Sequence, residues 1–163
     1  REEDLASKNL LEGKAFLMKN KEEEGVVTTD SGLQYLVLEK GGDETYVAPK
    51  EGEPSKQFMV QYKGMLLDGT VYDATADGTS IPMSLDVIDG FQEALTTMPV
   101  GARWKLLLSS KLAYGEQRRS PEIGPHQTLI FELQLDEIKD APASPHGGLS
   151  VPGTPPTGKA SGE

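Results

Sequence analysis

The stretch Val60-Gln-Tyr-Lys-Gly-Met-Leu-Leu-Asp-Gly-Thr-Val-Tyr-Asp73 decides how this chain folds. Apolar and polar residues roughly alternate into Leu67-Asp68-Gly69-Thr70, and the alternation resumes at Val71-Tyr72. Asp-Gly between alternating runs is the strongest short-range hairpin signal, because glycine accepts the positive φ that a tight turn demands. The predicted hairpin has Phe58 to Tyr62 as one arm and Val71-Tyr72 as the other. It brings two phenols, Tyr62 and Tyr72, close to one carboxylate, Asp73.

On either side of the hairpin the chain reads mostly as sheet. Leu33-Gln-Tyr-Leu-Val-Leu38, Arg103-Trp-Lys-Leu-Leu-Leu108 and Thr128 to Leu135 are predicted strands, and Pro82-Met-Ser-Leu85 a short one. Leu129, Phe131, Leu133 and Leu135 alternate cleanly, which puts them on one face. Lys40 to Glu44 and Ala48 to Pro54 are turn or loop. Val87 to Met98 is the domain's one short helix, with Ile88, Phe91, Leu95 and Met98 at the three-four spacing of one face. Pro99-Val-Gly101 ends it. An antiparallel sheet with one helix is an α+β layer packing.

The two ends differ from this middle. Residues 2–24 are rich in Leu, Ala, Lys and Glu and carry no Pro, so a helix is expected. Leu5, Leu10, Leu11, Ala15, Phe16, Leu17 and Met18 form a loose stripe along it. Two readings stand side by side: a solvated stalk or linker, or a stripe that packs on another copy or an upstream segment. From Pro142 onward the tail is Pro, Gly, Ser and Thr, with too little to bury to offset the entropy of ordering, and is expected to be disordered. The chain thus divides into a helix at 1–24, a domain at 25–139 and a tail at 140–163.

Bulk properties remove several function classes. A formal charge of -10 argues against nucleic acid and anionic membranes, since phosphates reward Lys and Arg. With no cysteine there is no disulfide, thiolate nucleophile or cysteine-ligated zinc. His126 and His146 are the two histidines, too far apart in sequence to suggest a metal set, and no metal or cofactor is expected. No run approaches the ~18 apolar residues that a bilayer span needs. Arg1-Glu-Glu-Asp4 does not read as a signal peptide, and a start without Met fits a processed or trimmed form. Arg118-Arg119 reads as a solvated loop pair.

Further pieces add to the hairpin. Met98-Pro-Val-Gly-Ala-Arg-Trp104 and Leu112-Ala-Tyr-Gly115 follow it in order, and then the strand Thr128 to Leu135. Across about residues 25–139 this series resembles the FKBP-type peptidyl-prolyl cis-trans isomerases. Within them, Glu23-Glu-Gly-Val-Val-Thr-Thr-Asp-Ser-Gly-Leu-Gln-Tyr35 after a charged helix resembles the bacterial Mip-like (macrophage infectivity potentiator) branch. The resemblance implies a bent antiparallel sheet wrapped around one short helix, preceded by an N-terminal linker helix. It implies rotation of X–Pro bonds in a dry aromatic pocket, assisting protein folding. The implied partners are proline-containing peptides and unfolded clients, with a homodimer through the N-terminal helix and a periplasmic or cell-surface location.

Carried over position by position, the resemblance places catalysis and binding on Asp73, Tyr114, Tyr72 and Phe91, and further substrate contacts on Tyr62, Ile81, Val87, Ile88, Ile123 and Phe131. Phe91 is the implied floor, Tyr72 and Phe131 walls, Tyr114 a hydroxyl donor and Asp73 the single acid at the rim. The Ile88 N–H is the implied partner of a substrate carbonyl. Truncating Tyr72 or Phe91 to Ala is expected to cut turnover without unfolding the domain. Taken singly each signal is weak. Phe91 shares a helical face with Ile88 and Leu95 and alone reads more readily as core, Tyr62 and Tyr72 read as cross-strand partners, and Asp73 as a turn cap.

The chain also departs from the family's usual pattern. Phe91 stands where Trp is most frequent, Tyr72 where Phe is common, and Gly78 near the place of an Arg that pairs with the rim acid. The loop Glu116 to His126 carries charges, Glu122 among them, in place of an apolar lip. These changes weigh against the macrolide inhibitors that the resemblance implies as ligands. They also motivate a second reading, a non-catalytic module that docks proline-containing peptides or holds unfolded chains.

Overall fold

The computed structural model describes residues 1–143, so the expected tail lies outside the described residues except for its first four positions. The elements are α1 (Glu2–Asn20), β1 (Val27–Thr28), β2 (Gln34–Glu39), β3 (Lys56–Met65), β4 (Val71–Ala74), β5 (Ile81–Met83), α2 (Asp89–Leu95), β6 (Arg103–Leu108) and β7 (Leu129–Asp140). A 3-10 turn, Ser110–Leu112, follows β6. The strands form one antiparallel sheet in the order β1-β2-β6-β7-β3-β4, with β5 also paired to β3.

The hairpin forms where the sequence predicts it. Leu66 N–H donates to Thr70 O and Gly69 N–H to Leu66 O, each at 2.9 Å. Gly69 has φ +91°, and the Asp68 carboxylate accepts from Thr70 N–H at 2.9 Å. These bonds close the turn from both sides. β3 runs on to Met65 and lies in the middle of the sheet, against β4 and β5 on one side and β7 on the other. Register shifts at Met59/Val60 and Gly64/Met65 bend it.

The core is the layer between the sheet and α2. Phe58, Phe131, Leu106, Leu108 and Leu133 from the strands and Phe91, Leu95 and Met98 from the helical segment are all fully buried. Two boundaries differ from the periodicity. α2 begins at Asp89, because Val87 is held in an extended bridge and Ile88 is the N-cap with φ -59° and ψ 151°. It ends at Leu95, and Met98 reaches the core from a turn whose N–H groups at Thr97 and Met98 both return to Ala94 O. β1, two residues pairing Val27 with Tyr35, is too short to leave any periodic signal.

α1 is not solvated all round. Asn9 and Gly13 are buried against the domain. Toward its end, Gln34 donates to Leu17 O at 2.9 Å and Asn20 donates to Gln34 Oε1 at 2.8 Å. Leu11, Ala15 and Met18 remain exposed on the outward side. The stripe therefore has two destinations: Leu5, Leu10, Phe16 and Leu17 are half-buried beside Asn9 and Gly13, while the rest faces outward. No described helix is long and apolar enough to cross a membrane.

Candidate functional site

β3, β4, α2 and β7 each deliver one aromatic ring to a common cluster. Phe91 and Phe131 meet edge to face with centroids 4.6 Å apart. Tyr62 stands edge-on to both, at 6.0 Å from Phe91 and 6.3 Å from Phe131, and Tyr72 is 6.2 Å from Phe131. Edge-to-face contacts put the positive ring rim on a negative face, so such a cluster holds its angles as well as its volume. Phe91 and Phe131 are fully buried, whereas Tyr72 and Tyr114 are only partly covered.

The cluster contains one carboxylate. Asp73, half-buried on β4, accepts a hydrogen bond from the Tyr62 hydroxyl at 2.6 Å. Burial, and then the bonded carboxylate, raise the Tyr62 phenol well above its ordinary range, so it stays a donor. Tyr72 has a different position: its hydroxyl is buried without a hydrogen-bond partner among the described residues. Burial first, then the fields of Tyr114 and Asp73, push its phenol up as well. Tyr114 is pushed up to about 12, mainly by burial, with Asp73 adding to the rise and Arg119 opposing it.

Of the predicted residues, Tyr62, Val87, Ile88, Phe91, Ile123 and Phe131 are buried members of one apolar cluster, and Tyr72, Ile81 and Tyr114 pack against it from its partly exposed side. Gly64 was not singled out by sequence. A Cβ there would come within 2.8 Å of Phe131 and 2.9 Å of Tyr72, so the two rings close over this position because it has no side chain. Nor was Arg119 found: its guanidinium lies 4.8 Å from the Tyr114 ring centroid. Arg118 is also engaged, donating to Glu2 at 2.8 Å and to the carbonyls of Ser120 and Pro121. Both arginines stay exposed, as the sequence predicts, yet each also has a protein partner. Loop chemistry read locally misses an aromatic face five positions back and a helix more than a hundred residues away.

No group of three or more His, Asp or Glu suited to a metal ion exists among the described residues. The dry rings, phenolic donors and single acid are suited to holding an apolar ring with an amide beside it, and offer no nucleophile poised by a base.

Comparison with known proteins agrees with this geometry. A sequence-family model described as FKBP-type peptidyl-prolyl cis-trans isomerase matches residues 48–136. A second, described as a domain amino terminal to such isomerases, matches residues 1–37. The chain is 39% identical over 138 residues to the outer membrane protein MIP of Legionella longbeachae, covering 83% of this chain and 57% of that protein. It is 41% identical over 130 residues to the FKBP-type 22 kDa peptidyl-prolyl cis-trans isomerase of Escherichia coli K12, covering 78% of this chain and 60% of that protein. The chain therefore spans less than two thirds of the length of these relatives. The crystal structure of FkpA from E. coli superposes with a TM-score of 0.74 at 38% identity, over 86% of this chain and 63% of that one. A peptidyl-prolyl isomerase structure from Pseudomonas syringae gives 0.70 at 29% identity, over 83% of this chain and 96% of that one.

Proposed function

The chain belongs to the FKBP-type peptidyl-prolyl cis-trans isomerases, and we propose that it rotates X–Pro bonds in the pocket built on Tyr62, Tyr72, Asp73, Phe91, Tyr114 and Phe131. The observation that carries this reading is the edge-to-face cluster with a single carboxylate tied to a phenol. An X–Pro bond turns slowly because rotation destroys amide resonance, with a barrier of roughly 18–20 kcal/mol. No covalent bond breaks, so the protein needs only to bind the twisted amide more tightly than the planar one, at ~1.4 kcal/mol per tenfold in rate. A twisted amide is less dipolar, and a dry ring-lined pocket favours it. Phe91 is the floor, Tyr72 and Phe131 are walls, and Tyr114 orients a substrate carbonyl together with the Ile88 N–H. Ile81, Val87 and Ile123 complete the apolar lining.

The test is exchange NMR of a short X–Pro peptide with the protein and its Asp73→Leu variant. Catalysed exchange that falls in the variant supports the reading. Proline line broadening without catalysed exchange supports the second reading, a docking module, which the Arg119 guanidinium over the Tyr114 ring favours.

In this reading residues 25–139 are the isomerase domain and unfolded, proline-containing chains are its clients. The exposed Leu11, Ala15 and Met18 form the stripe through which two copies associate, which sedimentation of Leu11→Glu would test. The periplasm or cell surface is the proposed location, because one relative is named an outer membrane protein. Fractionation of cells would settle it.

A further inference from the structure

One loop, residues 116–126, touches both α1 and the pocket. On the pocket side its Arg119 covers Tyr114, and Ile123 is buried in the same cluster as Phe91 and Phe131. On the helix side, Asn9, buried in α1, donates through Nδ2 to Pro125 O at 2.8 Å and to Gln127 Oε1 at 3.4 Å. That same Oε1 accepts from Gly124 N–H at 3.4 Å. Glu2 at the start of α1 binds the Arg118 guanidinium, which in turn holds the carbonyls of Ser120 and Pro121. Within the loop, residues 123–125 are themselves buried, and Ile123 N–H donates to Ser120 Oγ at 3.0 Å. Its inner bonds join Arg119 and Ser120 to Ile123, and His126 N–H returns to Gly115 O at 3.0 Å. Next to Pro125, His126 adopts φ +55°, a conformation unusual for a side-chain-bearing residue and kept only where surroundings hold it.

We propose that α1 is a working part of the prolyl site: Asn9 and Glu2 hold the loop so that Ile123 and Tyr114 are preorganised for the peptide, and Asn9 is a positioning residue. This rests on the reading of the pocket given above. A pocket whose lip is already ordered loses less entropy when it binds, so the helix acts on affinity more than on the bond rotation itself. Whatever displaces α1 from the domain then weakens peptide binding at a site that α1 does not itself line.

The test uses the full chain. Gly13 lies on the docked side of α1, and a Cβ there would fall 2.1 Å from Thr128 Oγ1. Gly13→Ala therefore favours the helix while wedging it off the domain. Asn9→Asp removes the amide donor with little change of volume. Peptide KM is expected to rise about fivefold in each variant, the worth of one lost hydrogen bond, with kcat changed by less than about twofold. Adding Thr128→Ala to Gly13→Ala is expected to restore most of the loss, and Ser7→Ala at an exposed position of α1 to leave KM unchanged.

Circular dichroism and amide shifts of residues 5–13 and 124–126 report whether the fold persists and whether the helix has moved. Unchanged KM in both Gly13→Ala and Asn9→Asp overturns the proposal. So does a loss that Thr128→Ala fails to rescue, or one that tracks unfolding. Asp73→Leu in the same series separates the two ideas. If it abolishes turnover while the helix variants are silent, the proposal alone fails; if it too is silent, the pocket assignment fails. Peptide Kd by NMR titration reads the same comparison without turnover.

Discussion

The Tyr62 hydroxyl donates to the Asp73 carboxylate at 2.6 Å across the β3–β4 pair, and no cation pairs with Asp73 among the described residues. A phenol on the neighbouring strand thus orients the pocket's acid. Tyr62→Phe keeps the ring packing and removes this bond. We expect a stability loss of ~1.5–3 kcal/mol, as for a hydrogen bond to a charged group, together with a several-fold fall in turnover. Urea unfolding and exchange NMR measure the pair, and unaltered turnover would count against a role for the oriented carboxylate.

Tyr72 gives the opposite sign. Its buried hydroxyl lacks a partner among the described residues, and such a group costs ~1–3 kcal/mol when desolvated. Tyr72→Phe should therefore stabilise the fold by ~1 kcal/mol, raising the thermal midpoint. A lowered midpoint would mean that the hydroxyl finds a partner in solution.

Phe91 cannot be truncated as freely as its sequence context implies. It is fully exposed to nothing but protein, at 0% relative accessibility, and packs 4.6 Å from Phe131. Phe91→Ala should cost ~3–5 kcal/mol, a large share of the ~5–15 kcal/mol that holds a domain together. Lost turnover in that variant would mix unfolding with loss of the pocket floor. Phe91→Leu should keep the fold in denaturant titrations and still reduce turnover.

Gly64→Ala inserts a methyl between Phe131 and Tyr72, which lie 2.8 and 2.9 Å from the Cβ position. Overpacking of this kind costs ~1–3 kcal/mol, and Tyr72, half-buried, is the ring free to yield. Peptide KM should rise because a wall moves. Equal KM with a lower melting temperature would show that strain was absorbed elsewhere.

Alkaline pH should destabilise the fold through the phenols. The folded pKa of Tyr114 is raised from 10.0 to about 12, chiefly by burial, so the unfolded chain loses its proton first. Its contribution is fully present below about pH 10 and is lost as pH climbs toward 12. Tyr62 and Tyr72 are raised in the same direction. Phenolate absorbance followed against pH should show these tyrosines titrating late and together with unfolding. Early, independent titration would contradict their burial.

Much of the fold is legible in the sequence because its signals are local. Asp68-Gly69 closes a turn within four residues, the alternation from Leu129 to Leu135 fixes which face of β7 is buried, and the three-four spacing around Phe91 marks α2. The hairpin alone brought Tyr62 and Tyr72 to Asp73, but Phe91 and Phe131 joined them only by resemblance, since Phe91 read alone as core. Arg119 and Gly64 were not legible: one acts on a ring across a loop, and the other matters for the side chain it lacks.

The N-terminal helix marks the limit most clearly. By itself the sequence called for a helix over residues 2–24, since composition and propensity act within a few turns, and the structure ends it at Asn20. Which side of that helix is buried was decided only by tertiary structure. Asn9 docks because it meets Pro125 O, and Gly13 because it meets Thr128. Leu11 and Met18, more apolar than either, stay in solvent. Hydrophobic burial follows periodicity and can be read along a chain, whereas the fit of one amide or one missing side chain depends on a surface that exists only once the sheet has formed.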